Sequence, residues 1–243
     1  MRLLIIRHAD PDYEHDTLTP KGRREAQLLA ERLKGETIDF CYVSPLGRAK
    51  ETVSAVLKYH TVTSEEKDWL REFPPAVPRP VAENANICWD WLPEEWADQG
   101  IAYSRDSWHE FPYFKNTSVY PEYCHVISSF DHLLADHGYV WEGNWYRAER
   151  PNRDTIALFC HFGVESVLLS RLLGISPMCI WMHMAAAPSS VTTLATEERR
   201  EGIALFRMQS YGDTGHLYMN GEKPSFSARF CETFRDNRGE RVD

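Results

Sequence analysis

The sequence predicts an α/β protein, and two observations carry that prediction. Short, largely apolar runs at residues 3–6, 40–43 and 155–160 are typical of strands buried on both faces of a parallel sheet. Each run leads through a turn into a segment whose apolar residues recur at helical spacing. This alternation of strand and helix indicates βαβ units, which place parallel strands side by side.

Capping residues mark the beginnings of the first two helices. Thr19 is a favourable N-cap and Pro20 suits the first helical position, so a helix is predicted from there to residue 34. Ser44 and Pro45 repeat this signal and predict a second helix over residues 46–58.

The middle of the chain differs in composition from the rest. Prolines follow Phe73 closely, and seven of the eight tryptophans lie between Trp69 and Trp145. Because proline is excluded from regular helices and central strands, the chain is predicted to leave the core here. We expect a single domain over residues 1–243 with an aromatic-rich helical and loop insertion at about 74–150. Most of its aromatic residues are expected to pack on the core, and a few to line a substrate pocket as a lid.

The last third of the chain returns to the strand and helix pattern. The apolar strand at 155–160 ends in His161 and leads into a helix that ends at Gly174. Two further strands are predicted at 189–196 and 203–208, joined by a charged turn at 197–202.

Composition and charge exclude several classes of function. The net charge of −9 disfavours a broad nucleic-acid surface, whereas a local basic pocket selects a small anionic substrate. Six scattered cysteines without a Cys-x-x-Cys pair indicate free thiols in a reducing compartment and argue against structural zinc. The apolar run at the N-terminus is too short for a signal peptide or a membrane span. We therefore expect a cytoplasmic protein that binds neither membrane nor nucleic acid.

Two arginines and two histidines occur where an α/β sheet binds its ligands. Arg7 and His8 end the first strand, Arg48 lies in the first turn of the second helix, and His161 ends a later strand. Such a group suits a compact dianion: one histidine attacks phosphorus in line while the other groups neutralise the oxygens. The sequence contains no glycine-rich phosphate loop of the GxxxxGK[ST] kind, so side chains must supply the charge.

Four blocks in this order resemble a known family. They are Arg7-His8, residues 18–22 (LTPKG), residues 44–52 (SPLGRAKET) and His161 after an apolar strand. The chain resembles the histidine phosphatase superfamily, in its phosphoglycerate-mutase-like branch, over about residues 1–73 and 154–210. The resemblance implies a three-layer α/β/α sandwich with a mostly parallel central sheet, and a phosphohistidine intermediate.

The resemblance also implies a role for each site residue. His8 is expected to be the nucleophile, while Arg7, Arg48 and His161 bind the phosphoryl group and stabilise its transition state. Glu72 is the best match to the general acid, which protonates the leaving oxygen and then activates water. The family needs no metal and no other cofactor. Glu65, Glu66 and Asp68 are the other candidates for the acid.

Two departures from the family pattern concern the substrate. Residues 9–12 (ADPD) replace the Gly and the neutral hydroxyl or amide that usually follow the first histidine, and an ionised Asp12 is expected to repel phosphate. Phe162 stands between His161 and Gly163, where the family usually has Gly directly after the histidine. His216 resembles a late family position near the pocket only loosely.

These observations predict a metal-independent phosphatase of the histidine acid phosphatase type that hydrolyses a small phosphate monoester. A phosphoglycerate-type mutase with the same four core residues is one alternative. A non-catalytic protein that binds a phosphorylated ligand is another. The state of assembly stays open, with a homodimer through exposed aromatic residues as one alternative.

Overall fold

The computed structural model describes residues 1–78, 86–227, 229–231 and 233–234. Within them, strands and helices alternate as the sequence predicts. The strands are β1 (Arg2–Arg7), β2 (Pro11–Asp12), β3 (Thr17–Leu18), β4 (Phe40–Val43), β5 (Ser64–Glu66), β6 (Ala76–Val77), β7 (Asn86–Ile87), β8 (Tyr139–Trp141), β9 (Tyr146–Ala148), β10 (Thr155–Cys160), β11 (Val191–Arg200) and β12 (Ile203–Asp213). The α-helices are α1 (Pro20–Leu33), α2 (Gly47–Leu57), α3 (Pro93–Trp96), α4 (Val119–Asp136), α5 (Phe162–Leu173), α6 (Pro177–His183) and α7 (Gly215–Met219).

The described strands form a mixed sheet of eight in the order β5-β4-β10-β1-β11-β12-β9-β8. The pairings among β5, β4, β10 and β1 are parallel, whereas those from β1 onward to β8 are antiparallel. Arg7 pairs with Cys160 at the carboxyl ends of β1 and β10. This register brings the residues that follow both strands to the same edge of the sheet, the usual place for a ligand.

Helices cover both faces of the sheet and make the three-layer sandwich that the resemblance implies. Alternate residues of β1 separate onto two cores: Leu3 and Ile5 pack with residues of α5, and Leu4 and Ile6 with residues of α1 and α2. All four are at most 4% exposed. A strand buried on both faces has to be apolar throughout, which explains the unbroken run in the sequence.

Two predicted details are wrong. The second helix spans Gly47–Leu57, close to the predicted 46–58, but Ser44 does not cap it, because the Ser44 hydroxyl hydrogen-bonds His161 and the Gly47 N–H donates to Asp16. The strands predicted at 189–196 and 203–208 extend to Arg200 and Asp213, and they include most of the predicted charged turn. Charged residues are tolerated there because that end of the antiparallel hairpin faces solvent.

The segment predicted as an insertion is partly built into the core. Helix α4 packs on α5, and the short hairpin β8–β9 extends the main sheet through β12. Its aromatic residues, including Trp91, Trp108 and Phe111, belong to the larger hydrophobic core. No helix among the described residues is long and apolar enough to cross a membrane.

Candidate active site

Five residues singled out in the sequence meet at the carboxyl edge of the parallel strands. The His8 and His161 rings have centroids 4.9 Å apart, and the Arg48 Nε lies 3.4 Å from the His8 Nε2. The charges of Arg7 and Arg48 lower the pKa values of His8, His161 and Glu72, so both guanidinium groups lie near these three side chains. This space is enclosed: Arg7, His8, Arg48 and His161 are all at most 8% exposed.

His8 is held with one nitrogen available for attack. Its Nδ1 lies 2.8 Å from the Ala9 carbonyl oxygen, which can only accept, so Nδ1 carries the proton and Nε2 keeps its lone pair. The backbone is fixed as well, because the His8 N–H donates to the Cys160 carbonyl and the His8 carbonyl accepts from Ser189. Burial, followed by the charges of Arg7 and Arg48, holds the pKa of His8 well below its ordinary 6.5, which favours the neutral imidazole.

His161 is held at one ring nitrogen, and its other ring nitrogen has no partner among the described residues. The Ser44 hydroxyl lies 2.8 Å from His161 Nε2 and also accepts from the Leu46 N–H. His161 Nδ1 is buried and has no hydrogen-bond partner among the described residues. When the Ser44 hydroxyl donates to Nε2, Nδ1 carries the proton, and an N–H donor in that place beside His8 suits a phosphoryl oxygen.

Asp16 pairs with Arg48, one of the two arginines that the sequence assigns to phosphate binding. Its carboxylate accepts from Arg48 Nη1 and from the Gly47 N–H at the start of α2, both at 2.6 Å. Asp16 reaches this position with a left-handed φ of 48°, which Asp tolerates better than most residues. Glu51 holds the strand β3 that follows Asp16 by accepting from the Leu18 N–H at 2.9 Å.

Glu72 lies at the N-terminus of α5. Its Oε1 accepts from the N–H groups of Phe73 and Gly163 at 2.9 Å and of Val164 at 3.3 Å. Burial raises the pKa of Glu72 by more than these bonds and the charges of Arg7 and Arg48 lower it. A carboxyl group held in this way suits a proton donor.

The other acidic and histidine candidates lie away from the two histidines or are already engaged. Glu65, Glu66 and Asp68 are exposed, and Glu65 and Asp68 pair with Lys67 and Arg71. Asp12 accepts from the backbone of its own turn and pairs with His15. His216 is buried against the Ser189 hydroxyl at 3.1 Å, and burial lowers its pKa to about 4, so it supports the loop beneath His8.

Sequence reasoning missed several residues that hold the site in place. Thr52 accepts from the Ala9 N–H at 3.1 Å and donates to the Arg48 carbonyl, so it joins α2 to the turn after His8. Thr52 belongs to the 44–52 block, so the sequence could have indicated that it lies at the site. Nothing in the sequence marks Asp16 as a partner of Arg48. The contact depends on a loop that returns to the site over a distance of 32 residues.

Glu165 is a second buried carboxyl, and it lies near Arg7. On α5 it accepts from the Thr192 hydroxyl at 2.6 Å, and its other oxygen has no partner among the described residues. Burial raises the pKa of Glu165 to about 7, against the charge of Arg7. Arg7 Nε and the Tyr211 hydroxyl are also buried without a described partner, so the floor of the site is polar.

The fold and these side chains define a class: an α/β protein with two histidines and two arginines gathered at one edge of its sheet. A family model described as the histidine phosphatase superfamily (branch 1) matches residues 3–111. The mitochondrial serine/threonine-protein phosphatase Pgam5 of Caenorhabditis elegans is 26% identical over 226 residues, which cover 90% of this chain and 64% of that protein. The chain is thus similar to the histidine phosphatase superfamily over residues 3–111 and to these phosphatases over most of its length. It spans less than two thirds of the length of the curated relatives that it matches.

Solved structures show the same fold. A phosphoserine phosphatase from Entamoeba histolytica, solved with 3-phosphoglyceric acid, aligns with a TM-score of 0.56 and 19% identity over 89% of this chain and 98% of that chain. A mycobacterial glucosyl-3-phosphoglycerate phosphatase aligns with a TM-score of 0.54 and 18% identity over 87% and 98%. At such identities the likeness concerns the fold alone.

Proposed function

We propose that this protein is a phosphatase that hydrolyses a small phosphate monoester through a phosphohistidine at His8. The observation that carries the proposal is the unprotonated Nε2 of His8, which accepts a long hydrogen bond from Arg48 Nε at 3.4 Å and lies beside the His161 ring. The proteins that this chain resembles are named as phosphatases, and this supports the reaction class.

The reaction follows from the positions of these groups. His8 Nε2 attacks phosphorus, the bond to the leaving oxygen breaks, and that oxygen takes the proton of Glu72. Arg7, Arg48 and the Nδ1–H of His161 neutralise the charge on the phosphoryl oxygens. Glu72, now ionised, takes a proton from water as it attacks phosphorus, the N–P bond breaks, and phosphate leaves.

The proposal needs no metal, and it includes a cytoplasmic location. The described residues contain no group of three or more His, Cys, Asp or Glu side chains arranged to hold a metal ion. The protein is expected to act without a cofactor on a phosphorylated small molecule. A monomer and a homodimer are both compatible with the site, since every residue named above belongs to one chain.

The test is hydrolysis of p-nitrophenyl phosphate in the presence of EDTA. His8→Ala should lower kcat by roughly 10⁴-fold or more, because the nucleophile is lost, while the exposed His125→Ala should leave it unchanged. Rapid alkaline quenching with labelled substrate should trap an acid-labile phosphohistidine in the wild type and not in His8→Ala. Activity that EDTA abolishes, or that His8→Ala retains, would contradict the mechanism.

The same experiment separates the alternatives. A mutase gives the trapped phosphohistidine but transfers the group to an added sugar acid faster than to water. A protein that binds a phosphorylated ligand without catalysis gives neither turnover nor a trapped intermediate.

A further inference from the structure

The side chains of Arg7 and Glu165 lie on the same face of the central sheet. The register of β1 with β11 pairs Ile5 with Thr192, so their side chains share one face. Arg7 follows Ile5 by two residues in the same strand, so its side chain belongs to that face as well. Helix α5 covers this face, and its Glu165 accepts from the Thr192 hydroxyl at 2.6 Å. The Glu165 carboxyl group therefore lies on the side of the sheet that carries Arg7.

Both groups are buried, and each has an atom that no described residue binds. Arg7 is 2% exposed and Glu165 is 1% exposed. Arg7 Nη1 donates to the Ala186 carbonyl, whereas Arg7 Nε and the second carboxyl oxygen of Glu165 have no partner among the described residues. Arg7 is also the cation whose charge acts on Glu165. The charge of an ionised Glu165 is therefore felt mainly at Arg7, because burial keeps other compensation away.

The other ionisable groups that face Glu165 come from three neighbouring segments. Glu72 lies at the N-terminus of α5, Cys160 ends β10 and Tyr211 belongs to β12, and each of them interacts electrostatically with Glu165. Burial raises the pKa values of Cys160 and Tyr211 above their ordinary values, so both are uncharged near neutral pH. The negative charge near Arg7 is thus set by the two carboxyl groups, and burial raises the pKa of Glu165 to about 7.

The charge of Glu165 acts on any anion that Arg7 binds. In the proposed reaction, Arg7 neutralises a phosphoryl group that carries two negative charges. When Glu165 is protonated, the whole charge of the guanidinium is available to that group. When Glu165 ionises, its carboxylate repels the phosphoryl group, and like charges interact strongly in a poorly solvated interior. The coupling is reciprocal, so a bound dianion keeps the proton on Glu165 to a higher pH.

We propose that Glu165 is a positioning residue that acts through Arg7 and sets how tightly the site holds a phosphoryl dianion. The inference rests on the proposed function, because that proposal places the phosphoryl group at Arg7. The protonated carboxyl group permits tight binding of the dianion, and the ionised one weakens it. Inorganic phosphate, the product of the proposed reaction, therefore leaves more readily above neutral pH.

The first test measures anion binding without turnover. Sulfate is the probe, because it stays a dianion between pH 5.5 and 8.5, and equilibrium dialysis with labelled sulfate counts only what excess vanadate displaces. At pH 5.5 the wild type and Glu165→Gln should have the same Kd within about twofold, because the wild-type carboxyl group is protonated. At pH 8.5 Glu165→Gln should bind sulfate about tenfold more tightly than the wild type, an ordinary size for coupling between two charged sites.

Glu25→Gln is the matched control. Burial raises the pKa of Glu25 to about 7 as well, but this residue lies on α1, and the charges that act most on it are those of Lys21 and Asp10. Its sulfate binding should follow that of the wild type at both pH values. Glu72 is present in the wild type and in Glu165→Gln alike, so the difference between these two proteins reports the charge of Glu165.

A second variant keeps the carboxyl group and changes the pH at which it ionises. The Thr192 hydroxyl donates to Glu165 and so stabilises the ionised form. In Thr192→Val this bond is lost, and the fall in sulfate affinity should begin at a higher pH than in the wild type. A fall that begins at the same pH would contradict the proposal.

The second test separates binding from chemistry during turnover. At pH 8.5 Glu165→Gln should lower KM for p-nitrophenyl phosphate about fivefold and change kcat less than about threefold, because Arg7 binds the phosphoryl group both before and during the reaction. At pH 5.5 neither constant should change by more than about twofold. If Glu165 only held α5 to β11, the substitution would have the same effect at both pH values, and this result would overturn the proposal.

The sulfate and turnover measurements also separate the two proposals. The expected pH dependence of sulfate binding without turnover or trapped phosphohistidine would keep the assignment of Glu165 and overturn the phosphatase. Turnover through a phosphohistidine, with sulfate affinities that change in parallel with pH in the wild type and Glu165→Gln, would keep the phosphatase and overturn the assignment. A wild type that binds no vanadate-displaceable sulfate at pH 5.5 would overturn both.

Discussion

Replacing Glu165 by glutamine should change how the stability of the protein depends on pH. Glutamine has nearly the shape of glutamate and keeps an oxygen that accepts from the Thr192 hydroxyl, but it does not ionise. In the wild type, burial raises the pKa of Glu165 from an ordinary 4.5 to about 7, although Arg7 lowers it. The carboxylate form is therefore less stable in the folded protein than in the unfolded chain.

The size of the effect follows from these two pKa values. Each pKa unit corresponds to about 1.4 kcal/mol, so ionisation of Glu165 costs the folded state about 3 kcal/mol. Below pH 4.5 both states are protonated and there is no cost. Between pH 4.5 and 7 the unfolded chain loses its proton first, and the free energy of unfolding falls as the pH rises. Above about pH 7 the cost is constant.

Urea unfolding at pH values from 4.5 to 8 measures this effect. The free energy of unfolding of Glu165→Gln should fall about 3 kcal/mol less over that range than that of the wild type. Glu25→Gln should behave in the same way, because burial raises its pKa to about 7 as well, whereas the exposed Glu14→Gln should follow the wild type. Parallel curves for Glu165→Gln and the wild type would refute the reasoning.

Two further predictions concern the groups around His8 and Glu72. Gly163→Ala places a methyl group against the Trp89 ring and Glu72, so it should destabilise the protein by about 1–3 kcal/mol and lower kcat. Gly35→Ala is the control and should do neither, because the space at that position is open. Equal effects of the two substitutions in urea unfolding and kinetics would contradict this prediction. Asp16→Asn removes a negative charge from Arg48 and keeps an acceptor for Gly47, so it should lower KM for a phosphate monoester several-fold; a raised KM would mean that Asp16 positions Arg48 for the substrate.

The sequence predicted most of the central fold because its signals are local. The run at 3–6 is apolar at every position, and β1, which is buried on both faces, can form from such a run without further information. Thr19 caps α1 as expected, and Gly174 ends α5 in the left-handed conformation. The antiparallel partner of β1 was not foreseeable in the same way, since strand pairing depends on residues far away in the chain.

Part of the candidate site was also predictable from local patterns in the sequence, and part was not. The sequence predicted that four residues come together, because strand ends and helix starts are recognisable in it: Arg7, His8, Arg48 and His161. The register of two parallel strands places the residues that follow them at one edge of the sheet. Glu72 was one of several acids in the sequence. The N-terminus of α5 distinguishes it, because it supplies two of the three N–H groups that bind its carboxylate.

The sequence by itself determined the fold class, the order of the elements and the residue types available for phosphoryl chemistry, since each depends on short-range patterns of apolarity, capping and charge. Only the tertiary structure decided which nitrogen of His8 carries no proton, that Ser44 orients His161 and does not cap a helix, and that Asp16 reaches Arg48. These features are contacts between groups distant in the chain, and their energies depend on burial, which a local pattern does not specify.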